Sequence, residues 1–191
     1  MRNIHLIFVL ATSLLPFATT QAAPADLPKT GQTTCYDATG AVIACTGTGQ
    51  DGELKAGMVW PNPRFVVGTG TATSCVTDTL TGLMWVRTPN TTATWNNALI
   101  NANGLSLCGF TDWRLPNINE LKSLVNSEAA NPSAFLNAQG FSGVAGDRYW
   151  SSTTSAANPT VLAWQVDMSS GRLDGTPKTD SIYVWPVRAG Q

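Results

Sequence analysis

The chain has 191 residues, only 12 % of them charged, and a formal net charge of −1. That balance gives no electrostatic basis for binding nucleic acid, and the length suits one domain with an extension. The single histidine, His5, lies in a leader expected to be removed, so Ser-His-Asp catalysis, Cys-His catalysis and histidine-ligated zinc are excluded for the remainder.

Residues 1–22 read as a secretory signal peptide. Arg2 supplies the positive start, Ile4 to Leu15 the apolar centre, and Ala18 to Ala23 the small residues before cleavage. The apolar run is too short to span a bilayer comfortably, and no later stretch does better. An exported soluble chain is therefore expected, periplasmic or extracellular, with no membrane insertion.

Residues 23–63 are rich in Gly, Thr and Pro and are expected to form an extension with little regular structure, ending at Trp60-Pro61-Asn62-Pro63. Four cysteines in an exported chain read as two disulfides, for which three pairings exist. Cys35 and Cys45 flank the turn Asp37-Ala38-Thr39-Gly40, which favours a local bridge and leaves Cys75 for Cys108. No C-x-x-C spacing points to a metal thiolate, and no metal site is expected.

The domain is placed at residues 64–191. Phe65-Val66-Val67, Cys75 to Asp78 and Leu83 to Val86 have the length and composition of strands. Thr94 is suited to cap a helix over Trp95 to Asn103, with Gly104 as its stop. Asn117 and Glu120 have capping-box spacing ahead of the stripe Ile118, Leu121, Leu124 and Val125. The cap accounts for Glu120 without a catalytic role. After Asn131-Pro132 the pattern returns to β. Tyr149 to Ser152 is a strand, and Leu162 to Met168 alternates. That alternation puts Leu162, Trp164, Val166 and Met168 on an apolar face and Ala163, Gln165 and Asp167 on a polar one. Ser169-Ser170-Gly171 turns the chain back, and Ile182 to Val187 makes a last strand whose Pro186 suggests an edge or a bulge. Two helices segregated from an antiparallel sheet or meander give the α+β class.

Five short runs carry a resemblance. They are Thr81-Gly82-Leu83-Met84-Trp85, Thr94-Trp95, Thr111-Asp112-Trp113-Arg114-Leu115-Pro116-Asn117 with Glu120-Leu121, Tyr149-Trp150-Ser151-Ser152, and Val184-Trp185-Pro186-Val187-Arg188. In that order, over roughly residues 64–190, they resemble the Lcl C-terminal-domain family, a bacterial exported domain of unknown function. That family is similar in fold to C-type lectins and to formylglycine-generating enzymes. The resemblance implies a C-type-lectin-like domain whose C-terminal strands and loops form the ligand surface. In the family's collagen-like adhesin the domain binds sulfated glycosaminoglycans and sits on a trimeric stalk. No Gly-x-y stalk is present here, so the oligomeric state is left open.

The expected function is a non-catalytic, secreted module that binds a surface glycan or protein for adhesion or recognition. The candidate ligand-binding residues are Ser155, Asn158, Gln165, Asp167, Arg172, Asp174, Lys178 and Asp180. One alternative follows from the same resemblance: some members carry a tail bracketed by Tyr-Trp-Ser-Ser and Val-Trp-Pro-Val-Arg that looks like the variable target of a diversity-generating retroelement. Another is a thiol and copper oxidase like the formylglycine generators, which needs reactive cysteines better explained here as bridges. No cofactor is expected. Calcium would suit convergence of Asp167, Asp174 and Asp180, but the lectin signatures Glu-Pro-Asn, Gln-Pro-Asp and Trp-Asn-Asp are missing. Arg148, Arg172, Lys178 and Arg188 are matched in sequence by Asp147, Asp167, Asp174 and Asp180, so no net basic surface is evident for a sulfated glycan.

Overall fold

A computed structural model describes residues 27–190. The expected signal peptide and His5 lie outside the described residues. Elements follow in chain order as β1 (Cys35–Tyr36), β2 (Val42–Ile43), α1 (Asp51–Leu54), β3 (Phe65–Val67), β4 (Cys75–Asp78), β5 (Leu83–Val86), β6 (Thr91–Ala93) and α2 (Trp95–Asn103). Then come α3 (Ile118–Ser123), α4 (Pro132–Ala138), β7 (Arg148–Thr154), β8 (Leu162–Asp167), β9 (Leu173–Pro177), β10 (Ile182–Val184) and β11 (Val187–Ala189).

The extension is more regular than its composition suggests. β1 and β2 pair as a hairpin, and Cys35–Cys45 bridges it. Asp37 fixes the turn by accepting hydrogen bonds from the backbone of Thr39 and Ala41. Glycine-rich composition hides such order because the contacts that create it are side chain to backbone, not apolar periodicity.

The domain contains two sheets. One has strand order β6-β10-β7-β8-β9 and the other β11-β5-β4-β3. Pairing is antiparallel throughout except between β10 and β7, which run parallel. Both disulfides have the pairing expected from the sequence, and Cys75–Cys108 ties β4 to the loop after α2. The mixed helix-and-sheet class therefore holds, with antiparallel pairing dominant.

Two apolar clusters hold these layers. The larger joins Phe65, Val76, Trp85, Leu121, Leu136, Phe141, Tyr149, Val166 and Trp185, so it sits between both sheets, α3 and α4. Its rings meet edge-on: Trp185 lies 5.7 Å from Trp85 and 5.2 Å from Phe141, at steep interplanar angles. Such arrangements put positive ring edges on negative faces. The smaller cluster packs Ala98 and Ala102 of α2 against Trp150, Ala163, Ile182 and Val184 on the opposite side of the five-stranded sheet.

Three expectations are corrected. α4 occupies Pro132–Ala138, where β structure is expected. Asn131 caps it by accepting from Ala134 N, and Pro132 stands at the first helical turn, where its missing N–H costs nothing. Ile182 to Val187 is not one strand. It breaks at Trp185-Pro186, so that β10 lies between β6 and β7 in the five-stranded sheet and β11 forms an edge of the four-stranded one. Proline cannot donate to a ladder, and its position marks where the chain changes sheets. Finally, the polar face assigned to β8 is covered. Ala163 and Gln165 are buried beside the α2 layer, while Val166 and Met168 enter the larger core. Alternation identifies two sides of a strand but not whether a second layer covers the polar one.

Candidate functional site

The motif residues mostly build the frame. Arg114 donates to both carboxylate oxygens of Glu120, at 2.7 and 2.6 Å. Glu120 also accepts from Asn117 N, and the Asn117 side chain accepts from the backbone of Asn119 and Glu120, completing the capping box. Partial burial raises the Glu120 pKa, but the Arg114 hydrogen bonds and charge, with the Asn117 amide, lower it further, for a net downward shift. Arg188 is buried and grips Asp112 with two nitrogens while its guanidinium lies 3.7 Å over the Phe110 ring. Arg64 holds the fully buried Asp78 bidentately and donates to Ser123 O. These three arginines tie loops to strands and α3.

The eight candidate binding residues separate. Gln165 is 3 % exposed and Ser155 5 %, so neither presents a side chain to solvent. This corrects their place in the ligand surface; α2 and its neighbouring chain close over that face of the sheet. Gln165 Oε1 has no partner.

The remaining positions gather around β9, the free edge of the five-stranded sheet. At one end, Asp167 shapes the β8–β9 turn by accepting from Ser169 N and Oγ at 2.7 and 2.6 Å. Arg172 and Asp174 pair with each other there, with side chains 73 % and 49 % exposed. Hydrogen bonding from Arg172 holds the Asp174 carboxyl below the usual range. At the other end, Asn158 is exposed in the β7–β8 loop, and Lys178 donates to Pro159 O while lying 4.1 Å over the Trp95 ring. Asp180 sits in the turn that leaves β9, where its N–H donates to Pro177 O, and its carboxylate pairs with Arg148 of β7 at 3.4 Å.

Asp167, Asp174 and Asp180 do not converge: each is engaged in a different local contact. Among the described residues, no group of three Asp, Glu, His or Cys side chains is placed to hold a metal ion. The four cations considered for a sulfated glycan are each engaged locally: Arg148, Arg172 and Arg188 each hold an aspartate, and Lys178 covers Trp95. Of the polar positions between the two sequence brackets, Thr176 is buried along with Ser155 and Gln165.

An apolar cleft of about 280 Å³ opens beside β6, lined by Val86, Pro89, Leu105, Leu107, Val184 and Pro186 among others. Two more clefts lie where the extension meets the domain, and sequence reasoning passed over them. The signal that marks them is electrostatic. Every ion pair among the described residues is made by an arginine, and Lys29, Lys55, Lys122 and Lys178 make none.

Comparison with known families settles which group these motifs mark. The model of the Lcl C-terminal domain matches residues 74–188, more than half of the chain. The chain belongs to the Lcl C-terminal domain family. No curated protein matches it. The Lcl C-terminal domain match begins just before β4 and ends within β11, so it contains the capping box, the Arg188–Asp112 pair and the β9 edge. β3 completes the second sheet from outside it.

Proposed function

We infer that this chain is an exported, non-catalytic recognition module that binds a glycan or protein of a cell surface through the strip along β9. The observation that carries the reading is the arrangement of Asn158, Asp167, Arg172, Asp174 and Lys178 along and at the ends of one free edge strand. Five strand residues span about 17 Å, enough for a short run of sugars or an extended peptide. Mixed donors and acceptors of both charges suit hydroxyl- or amide-bearing ligands better than a polyanion. The C-type-lectin-like likeness fits a fold that displays ligands on its C-terminal strands and loops.

The non-catalytic reading rests on how the reactive groups are used. All four cysteines are bridged, and the Arg114–Glu120 pair is consumed by the helix cap. Screening the full chain on a glycan array and against purified envelope proteins tests the reading. Binding that weakens at least tenfold in Arg172→Ala/Asp174→Ala supports it. Silence on both panels, or binding indifferent to that double variant, overturns it.

A further inference from the structure

The junction between extension and domain holds features that the β9 strip does not explain. Leu27-Pro28-Lys29-Thr30 lies against the domain: Pro28 bridges Met58, Thr30 O accepts from Ser127 N, and Lys29 O accepts from Trp60 Nε1. This segment separates two concavities that share Lys29, Thr30 and Trp60 in their walls. The larger, about 440 Å³, also has Leu27, Lys122 and Asn119 in its lining. The smaller, about 250 Å³, has Lys55, Val59 and Asp51. Together they fall in the size range of small-ligand and side-chain pockets.

Their charge departs from that of the chain. Three lysines line them against one acid, Asp51, which accepts a hydrogen bond from Thr30 Oγ1. Among the described residues none of the three lysines has a carboxylate partner; Lys122 donates to Gly171 O at 2.8 Å. Behind the larger cleft, Arg64 stacks 4.4 Å over Trp60 and donates to Ser123 O, and its Nη1 is buried without a partner. The walls include exposed apolar groups: Leu27 and Val59 are 68 % and 73 % exposed, and Leu54 (64 %) and Met58 (39 %), each next in sequence to a lining residue, are exposed as well. Exposed apolar groups clustered among polar ones mark association surfaces.

We propose that this junction is a docking surface for an acidic, apolar-bearing peptide segment of a partner protein, distinct from the β9 strip. Lysines without a carboxylate partner call for carboxylates, and the exposed leucines and valine call for apolar side chains between them. A polysaccharide would leave those apolar groups in contact with hydroxyls. A flat bilayer would leave both concavities unfilled. The exposed ion pairs contribute modestly and mainly steer encounter, while apolar contact supplies most of the affinity.

The test is selection of a displayed random dodecapeptide library on the immobilised full chain, followed by anisotropy titration of the enriched peptides. Enriched peptides should combine Asp or Glu with Leu, Ile or Phe. Their affinity should fall at least tenfold in Lys29→Glu/Lys55→Glu/Lys122→Glu and be unchanged in Ile100→Ser, which removes an exposed apolar side chain outside both clefts. If the triple reversal melts early, Lys29→Gln/Lys55→Gln/Lys122→Gln with Val59→Ser replaces it and should show the same loss. Enrichment without acidic bias, indifference to the lysine variants, or no enrichment overturns the proposal. Lysine-dependent binding only to phosphatidylglycerol vesicles or to polygalacturonate also overturns it.

Discussion

Residues 27–60 and the domain that follows are held together by different forces. In the domain, Trp85, Trp150, Trp185 and Tyr149 are buried in continuous apolar clusters. In the extension, Cys35 is the one buried hydrophobic residue, while Leu27, Tyr36, Val42, Ile43, Leu54, Met58 and Val59 remain exposed. What replaces a core there is a disulfide and a set of carboxylate clamps. Glu128, reaching from the domain, accepts from Thr33 N, Thr34 N and the Thr34 hydroxyl. Glu53 accepts from Gly47 N and Gly49 N. A region built this way opens when its carboxylate clamps are protonated or its one disulfide is cut, whereas the domain keeps a packed core beneath its own disulfide. The distinction can be tested by perturbing one side and reading the other.

The largest effect is expected for Trp185→Ala, which removes the ring that meets Trp85, Phe141 and Tyr149. Truncating a buried aromatic costs about 3–5 kcal/mol, measurable as a lowered denaturation midpoint of the whole molecule. Should only the extension respond, the division drawn above is wrong. Cys75→Ser/Cys108→Ser comes next. Its loop has a sequence separation of 33, which by chain entropy corresponds to about 3–4 kcal/mol of global stability. Cys35→Ser/Cys45→Ser opens a loop of separation 10, worth about 2–3 kcal/mol in the same picture. Here the loss should appear as faster proteolysis of residues 27–60 with the domain's unfolding midpoint nearly unmoved.

Smaller still is Asn117→Ala, which removes both cap bonds of α3 and should cost about 1 kcal/mol. The last prediction concerns pH and carries direction only. Hydrogen bonds from Thr33 N and the Thr34 side chain hold the Glu128 carboxyl below its ordinary range. A depressed carboxylate stabilises only while ionised, so docking is fully present above the ordinary glutamate value of about 4.3 and is lost as pH falls through the lower folded value. Protection of residues 27–36 against hydrogen exchange, taken relative to the intrinsic rate at each pH, should therefore fall in acid before the domain opens, and Glu128→Gln should show faster exchange already at neutral pH. Equal rates in the variant and the parent would remove Glu128 as a clamp.

Local chemistry was readable from the chain alone. Asn117 and Glu120 announce a capping box by their spacing, because the cap involves only neighbouring residues. The turn at Asp37 to Gly40 brings Cys35 and Cys45 together, and the even cysteine count then leaves Cys75 for Cys108. β3, β4, β5, β7 and β8 were also legible, since each has the composition of a strand bounded by turn residues. Asn131-Pro132 carried a helix signal that the neighbouring β-like pattern obscured.

Tertiary structure decided what faces solvent and which charges are free. Gln165 has the alternation of an exposed position, yet α2 lies over its face of the sheet, and no spacing rule predicts a cover contributed by residues so far away in the chain. Trp185-Pro186 looks like the interior of one strand until β11 is seen beside β5 in the other sheet. The lysines are scattered in sequence at 29, 55 and 122, and only the packing of the extension on α3 brings them to adjacent clefts. Burial and charge pairing are properties of neighbours in space, and a linear pattern records neighbours in the chain.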